Sequence, residues 1–430
     1  MTRAFDACIG AALGALLSLG AMSPVAAADG VPASFDCAKA ASTVEKFICS
    51  QAVLRWQDLA LSRSYRAARD AVTGSARDDL LAAQRDWVRE RDRRCIADRT
   101  FRELADTSEM PGRQAYDCLN VVYLDRRRTL QDLAAPPLAA MDIREIDLGP
   151  IAAARPEIVE GKTVRVSAIR VSPDGSSLAI LLPSLELDGP DQVWLYGIPD
   201  GRLVAATPAP DQDQPHPDGS PAAIKSLAWQ GDTLYARIAI WSRDGEGEEG
   251  TTAVYAATLH GMKRLGDMPA DIYALLDTAS HAGAVGQEEV SEEDRDLIDT
   301  IRGDRDFLAW TDDLGHGTVE LKVRKRAPGS PAYLVAWGGW ELAAPLLDPV
   351  HPLLVYPADT GLTLLDMATH GDRRIAGTSQ GDRPYAVSVD SGMLVWSTRN
   401  ACGDEFMTEQ DEDAPERFCL ARLPEPEESK

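Results

Sequence analysis

Residues 164–206 read VRVSAIRVSPDGSSLAILLPSLELDGPDQVWLYGIPDGRLVAA, and they decide the fold class of most of the chain. An apolar or alternating run, 164–171, leads into Ser172-Pro173-Asp174-Gly175, a turn signal. A second run, 178–182, follows. A third, 192–198, meets the turn Pro199-Asp200-Gly201, and 203–206 is the fourth. Short β-prone runs punctuated by Gly, Pro and Asp predict strands in a sandwich or a propeller.

The same rhythm continues downstream. Residues 224–229 and 234–241 flank Gln230-Gly231-Asp232, and the runs 353–356, 362–366, 385–389 and 393–397 repeat it. Turn signals recur about every 8–12 residues, the spacing of an all-β architecture. The unit of strand, Ser-Pro-Asp-Gly, strand, and a further strand ending in Asp-Gly resembles a blade of the TolB or WD40-like propellers. That resemblance implies six or seven blades at about 40–45 residues each. The expected fold is therefore a β-propeller-like domain over 141–430, with a β-sandwich as the alternative. Residues 268–308 depart from it. There 272–276 and 297–301 read as helical around an acidic segment, 288–299, as in an insertion or a degenerate blade.

Upstream the texture is helical. Ser42-Thr43-Val44-Glu45 spells a capping box before a short helix. Leu54, Leu61, Tyr65, Ala68 and Val72 then share one face of a 3.6-residue period. Gly74 is expected to end that helix and Ser75 to cap the next. On the next, Gln84, Trp87, Arg91 and Cys95 share a face. Pro111-Gly112 opens the last helix, with Leu119, Val122, Arg126, Leu130 and Leu133 in line. The whole chain thus reads as multidomain, α plus all-β: a disulfide-stapled helical bundle over 29–133, a linker over 134–140, and the β-rich remainder.

Residues 1–28 carry Arg3, an apolar run over 7–22 and Ala26-Ala27-Ala28 before Asp29, the pattern of a cleaved secretory signal. No later stretch of 18 or more apolar residues follows to span a membrane. Cleavage would discard Cys8 and leave Cys37, Cys49, Cys95, Cys118, Cys402 and Cys419. An even number in an exported chain predicts disulfides, two in the helical region and one near the C-terminus. Cys37 and Cys49 flank one short helix and are expected roughly 15 Å apart at about 1.5 Å per residue. A bridge needs Cα atoms within about 7 Å, so each is expected to pair with Cys95 or Cys118, in either combination. The expected location is the periplasm or the exterior.

Phe35-Asp36-Cys37-Ala38-Lys39-Ala40, Val44-Glu45-Lys46, Ile48-Cys49, Asp58-Leu59 and Tyr65 together resemble the LprI-like lysozyme-inhibitor domain. Gln84-Arg85-Asp86-Trp87, Arg91, Cys95, Cys118, Tyr123 and Arg127 extend the resemblance. It covers residues 35–133 and implies a small disulfide-bonded helical domain that inhibits lysozyme. Trp87 and Arg91, one turn apart, are a candidate recognition pair. The bulk reading is a core Trp87, with Arg91 paired to a carboxylate such as Glu45 or Asp58. The arginine-rich run 85–94 alternates with acids and reads as a solvated, ion-paired face.

The net charge of −24 is unevenly distributed. Residues 29–133 hold 18 basic and 17 acidic side chains, whereas 134–430 hold 25 basic and 50 acidic. A nucleic-acid partner is excluded for want of a basic surface. The densest acid lies between Cys402 and Cys419, where Asp404, Glu405, Asp411, Glu412 and Asp413 are candidates for docking a cationic partner. Catalytic spellings fail in context. Gly377-Thr378-Ser379-Gln380-Gly381 fits a nucleophile elbow, but no helix and no His follow it. The glycine motif at 245–250 holds three glutamates that would repel a pyrophosphate. Asp211-Gln212-Asp213 with Asp218 has the wrong spacing for calcium. No catalytic residue, cofactor or metal ligand is therefore expected. The chain reads as an exported, non-enzymatic protein-binding module with a protein partner, possible targets being cationic lysozyme-type hydrolases. The alternatives are an envelope scaffold and a propeller enzyme.

Overall fold

In the computed structural model the described residues are 31–184, 190–208, 223–239, 252–266, 269–281, 302–303, 306–315, 318–327, 329–339, 342, 345–348, 350–405 and 414–424. The expected signal segment, the acidic triplet Asp411, Glu412 and Asp413, the glycine motif at 245–250, the acids at 211–218 and the helical run 297–301 lie outside them.

The helical region comprises α1 (Thr43–Ser50), α2 (Ala52–Ala71), α3 (Ser75–Cys95), a single turn α4 (Phe101–Leu104) and α5 (Gly112–Ala134). The capping box forms as spelled. The Ser42 hydroxyl accepts from the Glu45 N–H at 3.1 Å, and Glu45 Oε2 accepts from the Ser42 N–H at 2.9 Å. Leu54, Leu61 and Ala68 of α2 interlock with Leu119, Val122, Tyr123 and Leu130 of α5 to form the core. Two expectations at the helix ends are corrected. Gly74 itself holds the N-cap position at φ 60°, so Ser75 is already the first helical residue. Leu133 is 45% exposed, and Ala134 continues the packed face of α5 past Leu130 instead.

The expected cysteine pairing is also corrected. Cys37 bonds Cys49 and Cys95 bonds Cys118, with Cα separations of 5.7 and 5.4 Å. The 15 Å estimate treated the segment as one continuous helix. Instead Cys37–Lys39 is an isolated 3-10 turn, Ala40 leaves it at φ −57° and ψ 115°, and Ser42 is extended. The chain therefore doubles back before α1 and brings Cys37 beside its last turn. Cys402 bonds Cys419 as expected.

The β region opens with β1 (Met141–Glu145), a short helix α6 (Gly149–Ala154) and the hairpin β2 (Val159–Glu160) and β3 (Thr163–Val164). Antiparallel four-stranded sheets follow. The first is β4 (Ala168–Val171), β5 (Ser177–Pro183), β6 (Pro190–Gly197) and β7 (Leu203–Ala205). The second is β8 (Ala223–Gln230), β9 (Thr233–Ala239), β10 (Thr252–Thr258) and β11 (Gly261–Arg264), followed by helix α7 (Ala270–His281). The third is β12 (Arg302–Gly303), β13 (Phe307–Gly315), β14 (Thr318–Lys325) and β15 (Tyr333–Gly338). The fourth is β16 (Leu346–Leu347), β17 (Leu353–Ala358), β18 (Gly361–Asp366) and β19 (Gly371–Arg374). The fifth contains β20 (Arg383–Ser388), β21 (Met393–Thr398) and β22 (Arg417–Arg422). Its fourth strand is β1, paired antiparallel to β22 through Met141↔Arg422 and Glu145↔Cys419. The two ends of the region are thus held in one ladder, which satisfies an edge that would otherwise stay open. Among the described residues there are five such sheets, where the propeller resemblance at about 40–45 residues per blade implies six or seven.

β5 and β21 are covered on both faces, so they read as near-continuous apolar runs whose alternate side chains pack on opposite neighbours. Leu178, Ile180 and Leu182 of β5 pack with Met393, Val395, Phe418 and Leu420 of the fifth sheet. The intervening Ala179 and Leu181 pack with Leu227, Leu234 and Ala236 of the second. The opposite face of the fifth sheet, with Leu394, Trp396 and Ala421, meets Val355, Leu362 and Ile375 of the fourth. Gly175 closes the Ser172–Gly175 turn at φ 67°. A Cβ there would stand 2.8 Å from Ser391 Cβ, in the β20–β21 turn. Asp174 organises the same turn, accepting from the Ser172 hydroxyl at 2.7 Å and the Ser176 N–H at 3.1 Å. The Ser172 hydrogen bond foremost holds its carboxyl below the usual range, against the opposing effect of burial.

Helices and sheets share a core. Val31, Trp56 and Ala60 pack with Val319, Leu321 and Trp337 of the third sheet and Leu354 and Tyr356 of the fourth. Leu138, in the expected linker, pairs with Ile375 as an isolated parallel bridge.

Candidate functional site

Trp87 and Arg91 face α5 and not open solvent. The Trp87 ring meets Tyr123 edge to face, with centroids 5.5 Å apart. The Arg91 guanidinium lies 5.4 Å from the Trp87 ring and 5.6 Å from the Tyr123 ring, and its side chain is 10% exposed. Arg91 Nη1 donates to Tyr123 Oη at 2.8 Å, and Tyr123 Oη donates to Asp58 Oδ1 at 3.0 Å. Asp58 Oδ2 accepts from both the N–H (2.9 Å) and the hydroxyl (2.5 Å) of Ser34. Burial pushes the Tyr123 phenol far above its ordinary pKa, which keeps it a neutral donor. Burial also opposes the charge on Arg91, but Tyr123 and Asp92 outweigh it and hold its pKa above the usual value. The direct carboxylate partner of Arg91 is Asp92, while Asp58 is reached through Tyr123 and Glu45 closes its own capping box.

This chain of bonds fastens α3 to the other helices along one edge. The rest of α3 is open. Leu80 and Cys95 are its only buried residues, Leu81 and Val88 are 39% and 36% exposed, and Arg89–Asp86 and Arg93–Glu90 pair along its surface.

Of the acidic candidates, Glu405 is already committed. Its Oε1 accepts from the Gly377 N–H at 2.7 Å, and its Oε2 accepts from Arg374 Nη1 at 3.2 Å and from Arg128 of α5. Arg374, with a side chain 5% exposed, also grips Asp132 of α5 at 3.1 and 3.2 Å. Glu405 therefore clamps the sheets to the helices, which corrects its reading as a docking residue for an outside cation. Asp404 is exposed, and its carbonyl accepts from the Ser379 hydroxyl at 2.6 Å. That bond, with the Ser379 N–H held by Asp382 at 2.7 Å, makes the nucleophile-elbow spelling a satisfied turn.

A second clamp joins α2, α5 and the fourth sheet. Arg127 Nη1 donates to Gln57 Oε1 and to Asp359 Oδ2, each at 2.7 Å, and Gln57 Nε2 donates to Asp359 at 3.2 Å. Gln131 donates to Asp372 at 3.3 Å and accepts from the Thr360 hydroxyl at 3.2 Å. Beside these clamps a cleft of about 1090 Å³ opens between α2, α5 and the edges of the third, fourth and fifth sheets. Sequence reasoning missed the clamps and the cleft, because their members are drawn from positions up to 302 residues apart and share no spacing. Among the described residues no group of three or more His, Cys, Asp or Glu side chains is placed to hold a metal ion. No helix among them is long and apolar enough to cross a membrane.

Residues 37–130 match the family model described as Lysozyme inhibitor LprI. No curated protein matches the chain. Among solved structures the chain is similar to TolB from Acinetobacter baumannii at 13% identity and a TM-score of 0.24, covering 61% of this chain and 56% of that one. It is similar to a family 117 glycoside hydrolase from Zobellia galactanivorans at 10% identity and a TM-score of 0.25, covering 60% and 83%. An oligogalacturonate lyase from Vibrio parahaemolyticus matches at 10% identity and a TM-score of 0.26, covering 62% and 80%. This chain thus spans little more than half of that TolB, and likenesses this distant do not bear on function.

Proposed function

We propose that the chain is an exported, non-enzymatic binding protein that blocks a lysozyme-type hydrolase by occupying its substrate cleft. The match of residues 37–130 to a lysozyme-inhibitor family carries this reading. Three disulfides support an oxidising compartment, the periplasm or the exterior, and the reading takes residues 1–28 as the export signal. The helical domain spans 29–133, a linker 134–140, and the β domain 141–430. The five sheets are read as blades of a propeller closed by β1. Support comes from the packing of apolar β5, β21 and β22 side chains against neighbouring sheets and from the contact of β4 with β20.

Docking occupies one face each of α2 and α5, whereas α3 buries only Leu80 and Cys95, so α3 is read as the helical face a partner meets. Leu81 and Val88 supply its apolar contact. With 50 acidic against 25 basic side chains, 134–430 attract a cationic partner over about a Debye length. The test is clearance of bacterial cell suspensions by several lysozymes at low salt, with the full exported chain in micromolar excess. Slowed clearance, weakened by added salt and by Leu81→Asp with Val88→Asp, is expected. Unchanged clearance with every lysozyme would overturn the inhibitor reading.

A further inference from the structure

The cleft along the seam reverses the charge of the chain around it. Five arginines line it: Arg63 and Arg66 from α2, Arg127 from α5, Arg383 from β20, and Arg399 just past β21. Three carboxylates, Asp359, Asp372 and Glu416, share the wall. In a protein of net charge −24 this is a local excess of cations, and a concave, low-dielectric site focuses its field on an entering ligand. Arg127 is committed to Asp359 and Gln57. Arg63 donates to the Leu334 carbonyl at 2.7 Å, and Arg66 bonds back to the Ser62 carbonyl of its own helix at 3.3 Å. Among the described residues none of Arg63, Arg66, Arg383 and Arg399 has a carboxylate within ion-pair distance.

Two buried donors beside the same space lack acceptors. Trp337, 9% exposed, has an unpaired indole N–H, and Arg127, 5% exposed, has an unpaired Nε–H. Buried donors are seldom left so, and both residues line the cleft. One wall is flat. The Arg63 guanidinium lies 4.9 Å from the Tyr333 ring, which stacks on the exposed His370 ring at 4.0 Å and 5°.

We propose that this cleft binds a carboxylated oligosaccharide. Guanidinium forks match carboxylates two bonds at a time. The wall carboxylates, each with lone pairs to spare, accept from hydroxyls and repel a polyphosphate. The His370–Tyr333 stack offers a plane to the apolar face of a pyranose ring. A volume just above the about 300–1,000 Å³ range of small-molecule sites holds several sugar rings, far more than a lone anion needs. This inference is independent of the inhibitor reading, which uses α3.

The test is isothermal titration calorimetry on the full exported chain, with hyaluronan hexasaccharide as the acidic probe and chitohexaose as its neutral counterpart. Hyaluronan hexasaccharide should bind at least about tenfold more tightly, a difference that salt erodes. The double variant Arg383→Ala with Arg399→Ala alters two exposed side chains and should weaken that binding at least about tenfold with an unchanged melting temperature. Equal binding of the two hexasaccharides, no binding of either, or no effect of the double variant would overturn the proposal. So would tripolyphosphate or tetraglutamate displacing the hyaluronan probe as an equal competitor, by assigning the cleft to phosphates or to acidic peptides.

Discussion

Replacing Asp359 with Ala should strand a buried cation at the junction of helices and sheets. The Arg127 side chain is 6% exposed and that of Asp359 is 26% exposed, with Nη1 and Oδ2 2.7 Å apart. After the substitution, Nη1 keeps only Gln57 Oε1, and Nε is already unpaired. Removing one partner of a buried pair costs about 3–5 kcal/mol, because the other charge stays desolvated. The partial exposure of Asp359 admits water and lowers the expected loss to about 2–3 kcal/mol. Urea unfolding of the full chain, followed by tryptophan fluorescence, reads this directly, since Trp56 lies in the shared core. The midpoint should fall by about 1 M for a slope of about 2–3 kcal/mol per M. The double variant Arg127→Met with Asp359→Leu removes both charges and should recover most of the loss. A single-variant loss below about 0.5 kcal/mol, or a double variant no more stable than the single, would refute the clamp as described.

Tyr123→Phe removes the hydroxyl between Arg91 and Asp58 and should cost about 1–3 kcal/mol in thermal unfolding, while Tyr65→Phe serves as the comparison on α2; equal small losses would show the phenol is dispensable. Under graded dithiothreitol with alkylation and mass mapping, Cys37–Cys49 should open before Cys95–Cys118, since Cys37 is exposed and Cys95 is buried. The reverse order would contradict the exposure argument. His351 is held above its ordinary value of 6.5 chiefly by its 2.6 Å hydrogen bond to Asp390, against the opposing effect of burial. With the folded value raised, the stabilisation is complete below about pH 6.5 and is lost as pH rises through the folded value. Melting temperatures measured from about pH 5 to pH 9 should show a small decline across that window that Asp390→Asn removes. Identical profiles for the two proteins would count against the pair.

The two halves of the chain were legible to different depths. Local signals survived intact: the Ser42–Glu45 capping box, the 3.6-residue stripe from Leu54 to Ala68, and the Asp174 turn all form where they are spelled. The cysteine pairing was misread because a single 3-10 turn and the non-helical residues 40–42 reverse the chain, and no periodicity marks such a break. Glu405 was misread because a carboxylate reads alike whether it faces solvent or two arginines. Its partners, Arg128 and Arg374, stand far away in sequence.

The sequence by itself determined the elements, because helix caps, turn residues and alternation act within a few residues of one another. It determined the uneven charge as well, because charge is a sum over residues that needs no fold. Only the tertiary structure decided which charges are free. It closed the fifth sheet with a strand from the start of the β region, buried Trp56 against the third and fourth sheets, and set Arg127, Arg374, Asp359 and Glu405 across the seam. Those pairings rest on burial and long-range packing, which tie together residues that no local spacing relates. The same packing opened a cationic cleft in a protein whose composition announces the opposite charge.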